Sequence, residues 1–148
     1  MQEYLGLLIA AARSRIKQVV LAQVAQFGLA PQQFWMLTAL REMPGMSQAD
    51  LAERVRADAP TVSRTLGALL ERGLVRSDPD PEDRRRSRVF LTAAGEQLAS
   101  EVAAVAADVR AAVVDGMSAA EEAAVRRGLK RILDNLDRYA ARVRGRRS

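Results

Sequence analysis

The 148-residue sequence contains neither cysteine nor histidine. Without thiols it has no disulfides and no thiol redox switch. Without imidazole or thiolate it lacks the usual ligands of zinc and every nucleophile that relies on a histidine base. Also missing is any run of about 18 apolar residues, the length that spans a bilayer, and residues 1–8 show no basic leader of a signal peptide. There is no glycine-rich phosphate loop, and the carboxylates gather at helix starts and in one turn, where capping and solvation account for them. The expectation is a cytoplasmic protein with no metal, no cofactor, no membrane partner and no enzymatic activity.

Hydrophobic residues make up 49% of the chain and charged residues 28%, enough to form a buried core and solvate its outside. The length fits a single domain, 1–148. Lysine and arginine number 23 against 18 aspartates and glutamates, a formal charge of +5 that attracts a polyanion without saying which.

Apolar residues at Leu5, Leu8, Ile9, Ala12, Ile16, Val19, Val20 and Val24 recur at spacings of three and four, which predicts a long first helix ending near Gly28. Pro31 suits the first turn of a second helix with Phe34, Leu37 and Leu40 inside, stopped by Pro44-Gly45. Ser47-Gln48-Ala49-Asp50 reads as a capping box with Asp in the usual Glu position, opening a short third helix. Asp58 caps a fourth, with Val62, Leu66, Leu69 and Leu70 as its apolar stripe and Gly73 as its left-handed stop.

The period then changes. Leu74-Val75-Arg76, a polar turn from Asp78 through Asp83, and Arg88-Val89-Phe90-Leu91 read as a two-stranded hairpin. Thr92 starts a fifth helix. Ser118-Ala119-Ala120-Glu121 opens a sixth, with Val125, Leu129, Ile132, Leu133, Leu136 and Val143 along it, and the basic end 142–148 reads as frayed. The fold class is therefore mainly α with a small β-hairpin: a winged helix-turn-helix plus a helical dimerisation region. The DNA-binding lobe covers about 30–92, and the dimerisation helices about 1–28 and 93–145.

With Val62 set inward and about 100° per residue, Thr61, Arg64, Gly67 and Ala68 point outward on the fourth helix. A face so free of bulk suits a helix lying against the floor of a major groove of double-stranded DNA. Arg64 is the best candidate reader, able to pair with guanine O6 and N7, while Thr61 and Ser63 can bond to bases or phosphates. In the hairpin, Arg84, Arg85, Arg86 and Arg88 can reach a minor groove. Asp78, Asp80, Glu82 and Asp83 could neutralise them, in surface pairs worth about 0 to 1 kcal/mol. The apolar stripes of the first, fifth and sixth helices exceed what a small lobe needs, and a two-fold homodimer would bury the excess.

Several segments, in this order and spacing, resemble the MarR family of bacterial transcription regulators over about residues 1–145. They are Leu29-Ala30-Pro31-Gln32-Gln33-Phe34, Ser47-Gln48-Ala49-Asp50-Leu51-Ala52, Pro60-Thr61-Val62-Ser63-Arg64, Glu71-Arg72-Gly73-Leu74-Val75, 78–85 and Leu91-Thr92-Ala93-Ala94-Gly95. The resemblance implies a homodimer with intertwined terminal helices, wings in minor grooves, and repression relieved by a small aromatic or phenolic effector. It places Arg85 on the wing arginine that enters the minor groove, with Asp83 as its support. It also implies an effector pocket for which Arg13, Arg15, Phe27, Phe34 and Trp35 are the candidates. Gly67 and Ala68 stand where many members carry Asp and Arg, Ser77 where an arginine is common, and Ala30 where a capping Thr or Ser is usual. The competing reading is a nonspecific nucleoid or architectural DNA-binding protein.

Overall fold

Three helix starts are fixed by side chains that accept the orphan N–H groups of a first turn. In the computed structural model, which describes residues 3–146, Ser47 Oγ accepts from Asp50 N, Asp58 Oδ1 from Thr61 N, and Ser118 Oγ from Glu121 N. Asp50 and Glu121 answer by accepting from the cap residues' own N–H groups, which completes two capping boxes.

The helices are α1 (Leu5–Val24), α2 (Pro31–Glu42), α3 (Gln48–Val55), α4 (Ala59–Glu71), α5 (Ala93–Val114) and α6 (Ala119–Gly145), and a 3-10 turn at Ala25–Phe27 follows α1. Gly28 (φ 66°) and Gly73 (φ 66°) supply the left-handed turns after the 3-10 turn and after α4. Ala30 starts α2 without a side-chain acceptor. Gln33 Oε1 accepts from Ala30 N at 3.0 Å, which restores half a box, and Pro31 occupies the first turn.

Strands β1 (Val75–Pro79) and β2 (Ser87–Leu91) pair antiparallel with Val75 opposite Leu91 and Pro79 opposite Ser87. Asp78 and Pro79 are thus strand residues, and the turn is shorter than the run of turn formers suggests. A third backbone segment joins the hairpin: Gly45 N donates to Val89 O at 3.0 Å and Val89 N to Met46 O at 2.9 Å.

The chain divides into two compact units, Met1–Arg110 and Ala111–Ser148. The first has a continuous core built from Val20, Val24, Phe34, Leu37, Leu40, Leu51, Val62, Leu66, Leu69, Val89 and Val102, with Leu74, Val75 and Leu91 at the hairpin base. Burial of one such side chain stabilises by about 1.5–3 kcal/mol. Leu70, expected in the α4 stripe, is instead exposed. It lies one residue past Leu69, and about 100° of rotation carries it off the buried face.

In the second unit α6 buries no residue fully, and Val125, Leu129, Leu133, Leu136 and Tyr139 are exposed along it. The helix continues through Gly145 into the segment expected to fray; of that basic end, residues 147–148 lie outside the described residues. Among the described residues no helix is long and apolar enough to cross a membrane.

Candidate nucleic-acid interface

Helix α4 is amphipathic in the way the spacing predicts. Val62, Leu66 and Leu69 face the core, Ser63 and Arg64 are exposed, and Thr61, Gly67 and Ala68 are half-buried. Arg64 Nη2 lies 3.4 Å from Thr61 Oγ1, so the guanidinium rests over the first turn of the helix. The Asp58 carboxyl is held below its ordinary value by its hydrogen bonds with Thr61, and Arg64 adds a smaller electrostatic pull. The far end of α4 is tied down by Arg72, whose Nη1 donates to Gly28 O at 2.9 Å and Nη2 to Phe27 O at 3.5 Å.

Behind α4 the chain turns through Gly73 and Leu74 into the hairpin. Thr92 closes this base by donating from Oγ1 to Gly73 O at 2.6 Å and accepting there from Gly95 N. Gly95 is buried, and a Cβ built on it would overlap the Leu74 carbonyl oxygen. The Leu-Thr-x-x-Gly pattern is therefore a close-approach motif that fixes α5 against the root of the hairpin.

At the tip, Arg84, Arg85 and Arg86 are exposed, and Arg88 is half-buried on β2. Arg88 Nε donates to Asp80 Oδ2 at 2.8 Å. Arg76 is paired with Asp78 and lies over the Phe90 ring at 4.6 Å. Asp83 meets Arg85 at the backbone, where its Oδ1 accepts from Arg85 N at 3.0 Å. The turn is closed by Asp80 N donating to Arg86 O and Arg86 N donating to Asp83 O, each at 2.9 Å.

The residues expected around an effector are less coherent. Phe34 is fully buried and meets Trp35 edge-on at 4.8 Å between ring centroids. Phe27 packs against the core, and Arg13 and Arg15 are exposed. The cavity beside Trp35, about 310 Å³, is lined instead by Thr38, Ala39, Glu42, Arg54, Val55, Arg56 and Arg110. Glu42 bridges Arg54 at 2.5 Å and Arg110 at 3.6 Å. Arg56 holds φ 51°, a left-handed conformation that costs a non-glycine residue about 1–2 kcal/mol. These three arginines come from the end of α3, the residue after it and α5, so no local spacing in the sequence links them.

A core-backed helix with a slim exposed face, preceded by a short capped helix and followed by an arginine-tipped hairpin, defines a winged helix-turn-helix DNA-binding protein. Residues 27–86 match the model of the MarR family. The fold is similar to that of MepR from S. aureus in its DNA complex, with 24% identity, TM-score 0.78, and 90% of this chain and 99% of that one covered. It is similar to Bordetella bronchiseptica BpsR, whose DNA binding is regulated by 6-hydroxynicotinic acid, with 28% identity, TM-score 0.74 and coverage of 88% and 98%. A mutant MarR from E. coli complexed with operator DNA matches with 24% identity, TM-score 0.73 and coverage of 87% and 93%. Over residues 27–86 the chain is similar to the MarR family, and its fold is that of the MarR-type winged-helix regulators.

Proposed function

We propose that this protein is a ligand-responsive repressor that binds an inverted-repeat operator as a homodimer in the cytoplasm. The observation that carries the reading is α4, which puts Val62, Leu66 and Leu69 in the core and leaves Ser63 and Arg64 exposed beside the small residues Gly67 and Ala68. With so little bulk on that face, the helix backbone can approach base edges closely. Arg64 reads a guanine through O6 and N7, Thr61 and Ser63 contact bases or phosphates, and the wing arginines reach the flanking minor groove.

Homodimerisation is supported by the apolar side chains left in water: Leu5, Leu7, Leu8 and Leu21 on α1, and Val125, Leu129, Leu133 and Leu136 on α6. Two-fold pairing sets the half-sites roughly 34 Å apart, one helical turn of DNA. For the effector, the cavity beside Trp35 combines an indole with three arginines, of which Arg54 and Arg110 pair with Glu42. An aromatic carboxylate suits it, the ring against Trp35 and the acid among the arginines.

The test is a footprint on DNA upstream of the protein's own gene, repeated with aromatic and phenolic acids while the fluorescence of Trp35, the single tryptophan, is followed. One protected inverted repeat, lost with a compound that also changes the Trp35 signal, is expected. Arg64→Ala should cut the preference for operator over random duplex by roughly 5- to 150-fold, the equivalent of one bidentate base contact. Equal binding to operator and random DNA by the unaltered protein would instead favour the nonspecific architectural reading.

A further inference from the structure

The four arginines of the wing do not occupy equivalent surroundings. Arg84, Arg85 and Arg86 are exposed, and none of the three has a carboxylate partner within ion-pair distance among the described residues. Arg88 instead donates to Asp80, whose side chain is only 14% exposed. The other oxygen of that carboxylate accepts from Glu82 N at 2.8 Å and Asp83 N at 3.4 Å. One acidic group therefore ties the returning strand to the turn. A fully exposed pair exchanges readily for a phosphate, but withdrawing Arg88 would strand a carboxylate largely removed from water.

Arg86 and Arg88 line a recess of about 270 Å³ beneath the wing together with Gly45, Ser47, Asp50 and Asp80. The recess holds two guanidinium groups and two carboxylates, of which Arg88 and Asp80 are in contact, so it has no surplus positive charge to offer DNA. Asp50 belongs to the capping box at the start of α3, and its carboxyl is held low first by Ser47 and, more weakly, by the charge of Arg86. The backbone repeats the connection, through Gly45 N to Val89 O and Val89 N to Met46 O. Gly67 and Ala68 on α4 carry no charged group that could hold the wing from the other side.

Taking the DNA-binding reading as its base, we propose that the wing arginines divide by role. Arg88, through Asp80, is a positioning residue that fixes the returning strand to the wing's turn, and Arg84 and Arg85 make the wing's contacts to DNA.

The test uses the full-length protein and two readouts: the salt dependence of binding to the footprinted fragment, and amide hydrogen exchange in the free protein. Arg85→Ala should lower the slope of log K against log salt by about 0.9, one released phosphate contact, and leave exchange at Glu82 and Asp83 as it was. Arg88→Ala should leave that slope unchanged, weaken binding at every salt concentration alike, and speed exchange at Glu82 and Asp83 several-fold; Arg88→Lys should restore part of both. A slope reduced by Arg88→Ala as much as by Arg85→Ala, or wing exchange indifferent to Arg88→Ala, would overturn the assignment. If the unaltered protein bound no duplex, the DNA reading and the contact role of Arg84 and Arg85 would fall together, and the exchange data alone would still decide the tether.

Discussion

At the scale of single residues, Gly95 shows how a motif becomes a constraint. Alanine is the better helix former by about 1 kcal/mol, so a glycine in the first turns of α5 looks like a loss. The Leu74 carbonyl occupies the space where a Cβ would stand, and overpacking of that kind costs typically about 1–3 kcal/mol. Gly128 of α6 has nothing near its Cβ position. Gly95→Ala should therefore lower the urea midpoint by the equivalent of at least about 1 kcal/mol, whereas Gly128→Ala should raise it by the equivalent of about 0.5–1 kcal/mol. A Gly95→Ala protein as stable as the parent would mean that α5 can retreat from the hairpin at no cost.

At the scale of elements, stability should fail in acid at the helix starts and the wing. Hydrogen bonds hold the carboxyls of Asp50, Asp58 and Glu121 below their ordinary values, and Asp80 is held low first by Arg88 and then by the Glu82 N–H. A carboxyl whose pKa is lower folded than unfolded contributes its full stability above the unfolded value and loses it as pH falls through the folded one. The melting temperature should thus be nearly level between roughly pH 7 and 5 and fall below roughly pH 4. Asp58→Asn, which keeps a capping oxygen but removes the titration, should flatten part of that fall. A melting temperature unchanged down to roughly pH 3 would contradict the assignment, since the unfolded carboxyls already take up protons above that pH.

The same elements explain what could be read from the chain in advance. Caps such as Ser47 to Asp50 and Ser118 to Glu121 act across three residues, so residue type and spacing reveal them. The outward position of Arg64 follows from periodicity for the same reason. The Met46 to Val89 bridge is a single pairing across more than forty positions and leaves no alternation to detect. Asp80 and Arg88 were visible as opposite charges in one turn, but which of four acids would meet which arginine depends on strand register. Arg54, Arg56 and Arg110, which line the cavity beside Trp35, converge only through tertiary packing and leave no spacing to read in advance.

At the scale of the whole molecule, the apolar side chains left exposed on α1 and α6 make stability depend on concentration if two chains cover them. Thermal unfolding should then shift upward as the protein is concentrated, and sedimentation should give twice the 16.2 kDa chain mass. Leu129→Glu, at an exposed apolar site of α6, should shift the population toward single chains. A parent protein that sediments as one chain, with a melting point indifferent to dilution, would remove the homodimer.

The bonds from Arg72 to the carbonyls of Gly28 and Phe27 add a mechanical link to this arrangement. They connect the trailing end of α4 to the corner where the amino-terminal helix gives way to the next. If α4 enters the groove as proposed, a twist at that corner would be passed through this charged strut to the helix that carries Ser63 and Arg64.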